Sequence, residues 1–420
     1  MKYFLTLFLI VIITGYTKST PFNDPSKTGN FSEEKVAFSK DTFPFQMIGK
    51  HIVIRAIMND SVELSLLLDT GAQYPSFDST FIAKNKNKLH LQLKPAHSAI
   101  GTPSGIIKQS QKISGIISIN AFAEKQNFSG VLMVADLRKS SLNVDGIFPV
   151  YLLFNNKIVL MDMQHRYFRM ISQDTLNNLK SHFSVFPLLG DQYSYFTVSS
   201  GINIDEVANH SVKMNGEFIL DFGAPGFLYL YKIHPLVAAA IHSDLKTRKI
   251  KGLSINGKDT VLSEVLIANQ ITLLDSMRFK NVKINLLNFK TNAPKQIGLL
   301  GNEFFKKFVI ILDYRNKQFY LQPGSDYSSP GINSNLGLNL SRRTESESYI
   351  VTSIYDPSLI SNSEIRLGDS VIEINGNLTE RMTEQEIDFI EHSPVGTILD
   401  FKIKRGQDIF HHKISVRDLW

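Results

Sequence analysis

The chain repeats itself, and that repeat constrains its fold more than any other feature of its 420 residues. Leu67-Leu68-Asp69-Thr70-Gly71-Ala72 recurs as Ile219-Leu220-Asp221-Phe222-Gly223-Ala224. Phe128-Ser129-Gly130-Val131 recurs as Phe279-Lys280-Asn281-Val282, and Asp145-Gly146-Ile147-Phe148 as Ile297-Gly298-Leu299-Leu300. Val159-Leu160-Met161-Asp162, followed by Tyr167-Phe168, recurs as Ile310-Ile311-Leu312-Asp313, followed by Phe319-Tyr320. Every pair is offset by 151 or 152 positions. Any one match is weak, but a common register held over a whole segment marks one structural plan used twice. Two halves are expected, 45–178 and 179–325.

The halves read as strands. His51–Ile57 and Val62–Leu68 are apolar or alternating runs on either side of Asn59-Asp60, a turn signal. Similar runs recur at Ile113–Ile119, Val131–Val134, Ile158–Met161, Phe218–Leu220, Val261–Ile267, Val282–Leu286 and Val309–Leu312. Helical patterns are short, Leu236–Ile241 being the clearest in this region. The expected fold class is mainly β.

Each copy of the first motif ends an apolar strand with Asp-x-Gly-Ala. An isolated Asp-Thr-Gly means little; two in repeat register mean more. Glycine permits a tight turn that brings main-chain N–H groups to the carboxylate. Two such turns facing each other would set two carboxylates a few ångströms apart, where both cannot ionise at once. Such a pair binds a water, deprotonates it and protonates a leaving amine. It titrates as a unit. The alternative is a turn-capping Asp in each half, with no chemistry.

These residues resemble the active-site turns of pepsin- and retropepsin-type aspartic proteases. The resemblance covers about 280 residues and implies a bilobed acid-protease fold, an endopeptidase acting on extended polypeptide, Asp69 and Asp221 as the catalytic dyad, and no cofactor or metal. Thr70, Gly71, Ala72, Phe222, Gly223 and Ala224 would complete the two turns. Gly298-Leu299-Leu300-Gly301 is similar to the element that braces such turns, with Asp145-Gly146-Ile147-Phe148 as its first-half copy. The strand from Val309 to Tyr314 with its Asn316-Lys317 turn resembles the close of a lobe. Ile100, Gly101 and Thr102 lie in a run similar to the flap hairpin that folds over substrate. Three departures stand out. Phe222 replaces the hydroxyl residue that clamps the opposite turn, Pro149 replaces the Gly ending the first brace, and Ile100 sits near the usual flap Tyr. A catalytically inactive bilobed peptide-binding or scaffold protein is therefore the second reading.

Other chemistries lack their signatures. Asp221-Phe222-Gly223 also occurs in protein kinases, but no Gly-rich phosphate loop, Val-Ala-Ile-Lys or His-Arg-Asp accompanies it. The 11 His include no His-Glu-x-x-His, and the adjacent His411 and His412, on one expected strand, point to opposite faces. There is no Gly-x-Ser-x-Gly, and with zero Cys no disulfide, thiol nucleophile or Cys-bound zinc. The charge of +6 is scattered among acidic residues, which gives no nucleic-acid stripe. With 43% hydrophobic and 20% charged residues, the composition is that of a folded chain.

Ser, Pro and Gly in 326–335 read as a linker to a third unit, 336–420. That unit carries the strand Tyr349–Ile354, the run Leu367-Gly368-Asp369-Ser370-Val371-Ile372-Glu373-Ile374-Asn375-Gly376, and a helix through Glu384–Ile390 capped by Thr383. It resembles a PDZ domain of the bacterial protease-associated kind. The resemblance implies that a peptide tail adds as a strand beside Leu338–Leu340, its terminal carboxylate taken by the loop Leu336, Gly337, Leu338, Asn339, Leu340. The alternative is a unit that only packs against the halves.

At the start, Met1-Lys2-Tyr3, an apolar run Phe4–Ile13 and small residues after it describe a secretory signal peptide over 1–19, followed by a lead segment 20–44. The run is short for a bilayer span. The chain is expected to be exported, periplasmic or secreted, monomeric, and at a membrane only if that segment stays uncleaved.

Overall fold

The structure, a computed structural model, describes residues 41–418 apart from 49, 103–104, 123, 130, 138–143, 191–195, 206–210, 242–246, 254–259, 275, 289–294, 330–335, 343–346 and 356–364. The expected signal peptide, most of the lead segment, the tip of the expected flap and most of the linker lie outside the described residues. Strands dominate, and the chain is mainly β. Among the described residues no helix is long and apolar enough to cross a membrane.

Local chemistry explains the first hairpin. His51–Met58 and Val62–Asp69 pair antiparallel, with Asn59 and Asp60 both at positive φ between them. Asn and Asp tolerate that backbone better than other side-chain residues. Asn59 is also tied down, donating to Leu89 O and accepting from Ser118 N.

The sequence repeat reappears as strand register. Gly146–Pro149 runs parallel to Val62–Asp69 with Gly146 opposite Leu66, and Gly298–Leu300 runs parallel to Ser211–Leu220 with Gly298 opposite Phe218. Phe77 faces Val134 in the first half, and their counterparts Tyr229 and Asn285 face each other in the second. Between the halves, Ile158–Asp162 pairs antiparallel with Phe308–Asp313, placing Leu160 opposite its own repeat mate Ile311. That pairing lies at the centre of a six-stranded sheet to which both halves contribute. Thr42–Pro44, placed by sequence in the lead segment, is an edge strand of this sheet.

One expected strand is corrected. Ile113–Ile119 is two strands, Gly105–Ser114 and Ile117–Ala121, broken at Gly115, whose φ is +108°. A left-handed glycine reverses the chain there and leaves Ile116 71% exposed. The apolar run concealed a turn.

The C-terminal unit has its own core of Leu336, Leu338, Val351, Val371, Phe401 and Ile403, among others. Its helix Glu384–Glu391 starts with a reciprocal cap, Thr383 Oγ1 accepting from Glu386 N while the Glu386 carboxylate accepts from Thr383 N. His411 is exposed and His412 only partly so, on alternate faces of Asp408–Ser415. The unit is more than tethered: Lys251 and Gly252 of Thr247–Leu253 pair with Ile354 and Ser353, so its strands continue the sheet of the second half. In its interior Asp369, 3% exposed, accepts from Arg405 Nε and Nη2, each at 2.7 Å, and from Arg366 N. Arg405→Met strands a buried carboxylate. We expect it to cost about 3 kcal/mol in chemical denaturation.

Candidate active site

Val62–Asp69 ends on the first motif aspartate and Ser211–Leu220 ends one residue before the second, each paired at that end with its parallel brace strand. The chain then turns back over the carboxylate. Asp69 Oδ1 accepts from Gly71 N at 2.6 Å and Ala72 N at 3.0 Å. Asp221 Oδ1 accepts from Gly223 N at 2.8 Å. The two turns meet, each bringing its glycine against the opposing carboxylate, so that the Asp69 and Asp221 carboxyl groups stand next to each other and influence each other's ionisation.

Both carboxyls keep partial solvent contact, yet burial is the largest cause that raises each above the ordinary carboxylate range. For Asp69 the turn N–H groups and the bond from Asp221 pull back down. For Asp221 the Asp69 charge pushes further up. Both carboxyls are raised and titrate together as one pair that shares its protons.

The glycines serve a purpose the sequence reading did not assign. Neither Gly71 nor Gly223 has a positive φ, so the turn itself does not demand them. Each faces the opposing carboxylate instead. A Cβ on Gly71 would lie 3.1 Å from Asp221 Cγ, and one on Gly223 only 2.5 Å from Asp69 Cγ. The small residue makes room for the pair.

The clamp between turns is one-sided. Thr70, 7% exposed, donates from Oγ1 to Leu220 O at 2.5 Å and accepts from Phe222 N at 2.8 Å. Phe222 has no hydroxyl to return the bond. Its ring is buried and packs edge-on against Phe305, centroids 4.6 Å apart. Hydrophobic packing holds the second turn from behind while Thr70 bridges across. Thr70→Val would leave a buried carbonyl and a buried N–H unpaired; we expect a loss of about 2 kcal/mol in denaturant titration.

Residues that sequence reasoning missed support the Asp221 turn. Asn302, 1% exposed, donates from Nδ2 to Phe222 O at 2.7 Å and to Lys50 O at 2.8 Å, and its N–H bonds Ala224 O. Its repeat counterpart is Val150, and that polar-for-apolar exchange right after the second brace was the available signal. His51 bonds the Gly223 backbone; burial, its largest influence, lowers it to about 4, so it is neutral. Nothing in the repeat marks His51. The Tyr229 hydroxyl accepts from Gly226 N at 2.8 Å, and burial pushes it well above the ordinary phenol range.

The other expected site residues fall elsewhere. Ile100, Gly101 and Thr102 pair with Ile107, Ile106 and Gly105, forming a hairpin as expected, with Pro103 and Ser104 outside the described residues. Gln111–Ile113 of that hairpin borders Leu132–Ala135, which borders Ser76–Asp78 beyond the first turn. Leu336, Gly337, Leu338, Asn339 and Leu340 belong to the C-terminal unit, where Leu338–Ser341 pairs with Tyr349–Ile354. The expected carboxylate-binding Leu340 N–H is occupied: it donates to Glu391 Oε1 at 2.7 Å. Among the described residues no group of His, Asp and Glu is arranged to hold a metal ion.

No protein-family model matches the sequence, and no curated protein matches it as a relative.

Proposed function

We propose that the chain is an exported aspartic-type endopeptidase built on the bilobed pepsin/retropepsin-like plan, with a PDZ-like domain at its C-terminal end. The observation that carries this reading is the juxtaposition of the Asp69 and Asp221 carboxyls, each held by main-chain N–H groups on a repeat-related turn whose glycine faces the other carboxylate. In the reaction, a water between the carboxyls loses a proton to Asp69 as its oxygen bonds the scissile carbonyl carbon. Asp221 gives its proton to the carbonyl oxygen. Collapse of the tetrahedral diol breaks the C–N bond, passes the Asp69 proton to the departing amine and returns one to Asp221. The pair ends as it began, with one shared proton, and the strand hairpin containing Ile100–Thr102 suits an extended polypeptide as substrate.

The test is hydrolysis of an unfolded polypeptide across pH. We expect a bell-shaped kcat/KM profile. It falls in acid as Asp69 is protonated, and falls in base as Asp221 loses the proton that burial and the Asp69 charge hold there. Hydrolysis that persists undiminished in both Asp69→Asn and Asp221→Asn overturns the reading. The second reading, a bilobed peptide-binding protein without turnover, draws on Phe222, which halves the clamp. Its signature is binding of the same polypeptide with no new termini at any pH.

A further inference from the structure

The repeat extends to the order of the strands. In the first half Val62–Asp69, Gly146–Pro149, Ser76–Asp78, Leu132–Ala135, Gly105–Ser114 and Gln92–Thr102 lie side by side. In the second, Ser211–Leu220, Gly298–Leu300, Leu228–Tyr231, Met277–Leu287, Thr260–Leu273 and Thr247–Leu253 follow the same order. The hairpin of Thr247–Leu253 and Thr260–Leu273 is therefore the second-half copy of the expected flap hairpin, and Gly252 stands 151 positions after Gly101. The two copies differ on their outer side. Gln92–Thr102 is an edge strand with no further partner among the described strands. Thr247–Leu253 is not an edge, because Lys251 and Gly252 pair with Ile354 and Ser353 of the C-terminal unit.

That junction is small. Thr247–Leu253 pairs with Thr260–Leu273 along all seven of its residues, but with the C-terminal unit over two. Beside those two, Ile250 and Val265 of the hairpin pack with the ring of Tyr355, all three buried in a cluster separate from the core of the C-terminal unit. Lys283 Nζ lies 5.2 Å from the Tyr355 ring centroid. A two-residue ladder and one ring fix a position, yet they can part without either side losing its own core. The ladder also sits at the far end of its strand, where Leu253 alone follows Gly252. A hairpin closing on a substrate moves most at that end.

We propose that the C-terminal unit straps the second hairpin. While Lys251 and Gly252 are paired with Ile354 and Ser353, this hairpin is held back from an entering polypeptide, and it closes on the substrate when the ladder opens. The first hairpin, with its outer edge unpaired, is under no such restraint. The proposal rests on the endopeptidase reading and adds a control on it that lies outside the two turns.

The chain has no natural Cys, so the strap can be locked selectively. A Cβ on Gly252 would lie 3.7 Å from Ser353 Cβ, inside the disulfide range of about 3.5–4.5 Å, and Gly252 has no positive φ to oppose a side chain. Gly252→Cys combined with Ser353→Cys gives a strap that oxidised glutathione closes and dithiothreitol reopens. The readouts are cleavage and binding of one labelled unfolded polypeptide by the full chain. We expect oxidation to lower kcat/KM about tenfold or more and to slow binding, and dithiothreitol to restore both. Ile250→Ala loosens the seat of the Tyr355 ring and leaves the core of the C-terminal unit alone; it is expected to raise kcat/KM about threefold, a gain that a merely structural contact does not give. Equal or higher turnover in the oxidised form overturns the strap and leaves the endopeptidase reading standing. Binding without cleavage in the reduced form removes that reading, and the strap is then upheld if oxidation slows binding and overturned if it does not. Neither binding nor cleavage in the reduced form overturns both. If the disulfide does not form, Ile250→Ala decides alone, and no rise in turnover or binding overturns the proposal.

Discussion

Asp221→Asn is expected to lower kcat/KM on an unfolded polypeptide by about 10⁴-fold or more, and at the same time to raise the melting temperature at pH 7. The activity loss follows from the division of labour: an amide has no proton to give to the carbonyl oxygen and none to share with Asp69. The stability gain follows from linkage. The folded state holds the Asp221 proton more tightly than the unfolded chain does, first because the group is buried and then because Asp69 is charged beside it. A carboxyl raised in this way contributes stability that is fully present below its unfolded pKa, near 3.9, and is lost as pH rises through the folded value. Wild type therefore pays for its dyad at neutral pH and much less in acid. Asn is neutral throughout. The melting-temperature difference between variant and wild type should grow from pH 4 to pH 7. Asp69→Asn should lose as much activity, since the pair then lacks one of its two carboxyls. A difference that does not change with pH would remove the buried, proton-sharing pair from the account.

Much of the candidate site was legible because repetition is a long-range signal. The offset of 151 or 152 residues predicted which strands would share a register, and Gly146 opposite Leu66 matches Gly298 opposite Phe218. The same register brings Asp69 and Asp221 together without any knowledge of the intervening loops. What stayed illegible is what the repeat does not contain. Asn302 and His51 have no counterparts in the other half, and both act on the second turn, Asn302 being tied in addition to the Lys50 carbonyl. On that turn Phe222 stands where the first has Thr70, with its ring buried against Phe305 and its carbonyl bound by the Asn302 amide. Composition could not reveal that exchange. The docking of the C-terminal unit was equally hidden, since Lys251 and Gly252 pairing with Ile354 and Ser353 is main-chain bonding with no side-chain signature. Gly115 shows the limit from the other direction: apolar runs on both sides read as one strand, and a single left-handed glycine divides them.

Gly223→Ala should disable the dyad more severely than Gly71→Ala, although the two glycines are repeat mates. With no positive φ at either position, alanine meets no backbone penalty and the comparison isolates space. At Gly223 the new methyl would stand 2.5 Å from Asp69 Cγ and 2.6 and 2.8 Å from its oxygens. Such separations are far inside carbon–carbon contact, near 3.5–4.0 Å, so one group must move. Asp69 moves only by giving up the N–H groups of Gly71 and Ala72, bonds that favour a charged carboxylate. The turn moves only by giving up the bond between Phe222 N and Thr70 and that between Phe222 O and Asn302. Either path separates the carboxyls, and we expect kcat/KM to fall about 10³-fold or more. At Gly71 the methyl would meet Asp221 at 3.1 Å, a gap that a few tenths of an ångström relieve, and a loss of about tenfold is expected. Equal losses at the two glycines would mean that the turns flex as a pair. Unequal losses in the stated order tie activity to the distance between two carboxyl groups, which is the quantity the repeat exists to set.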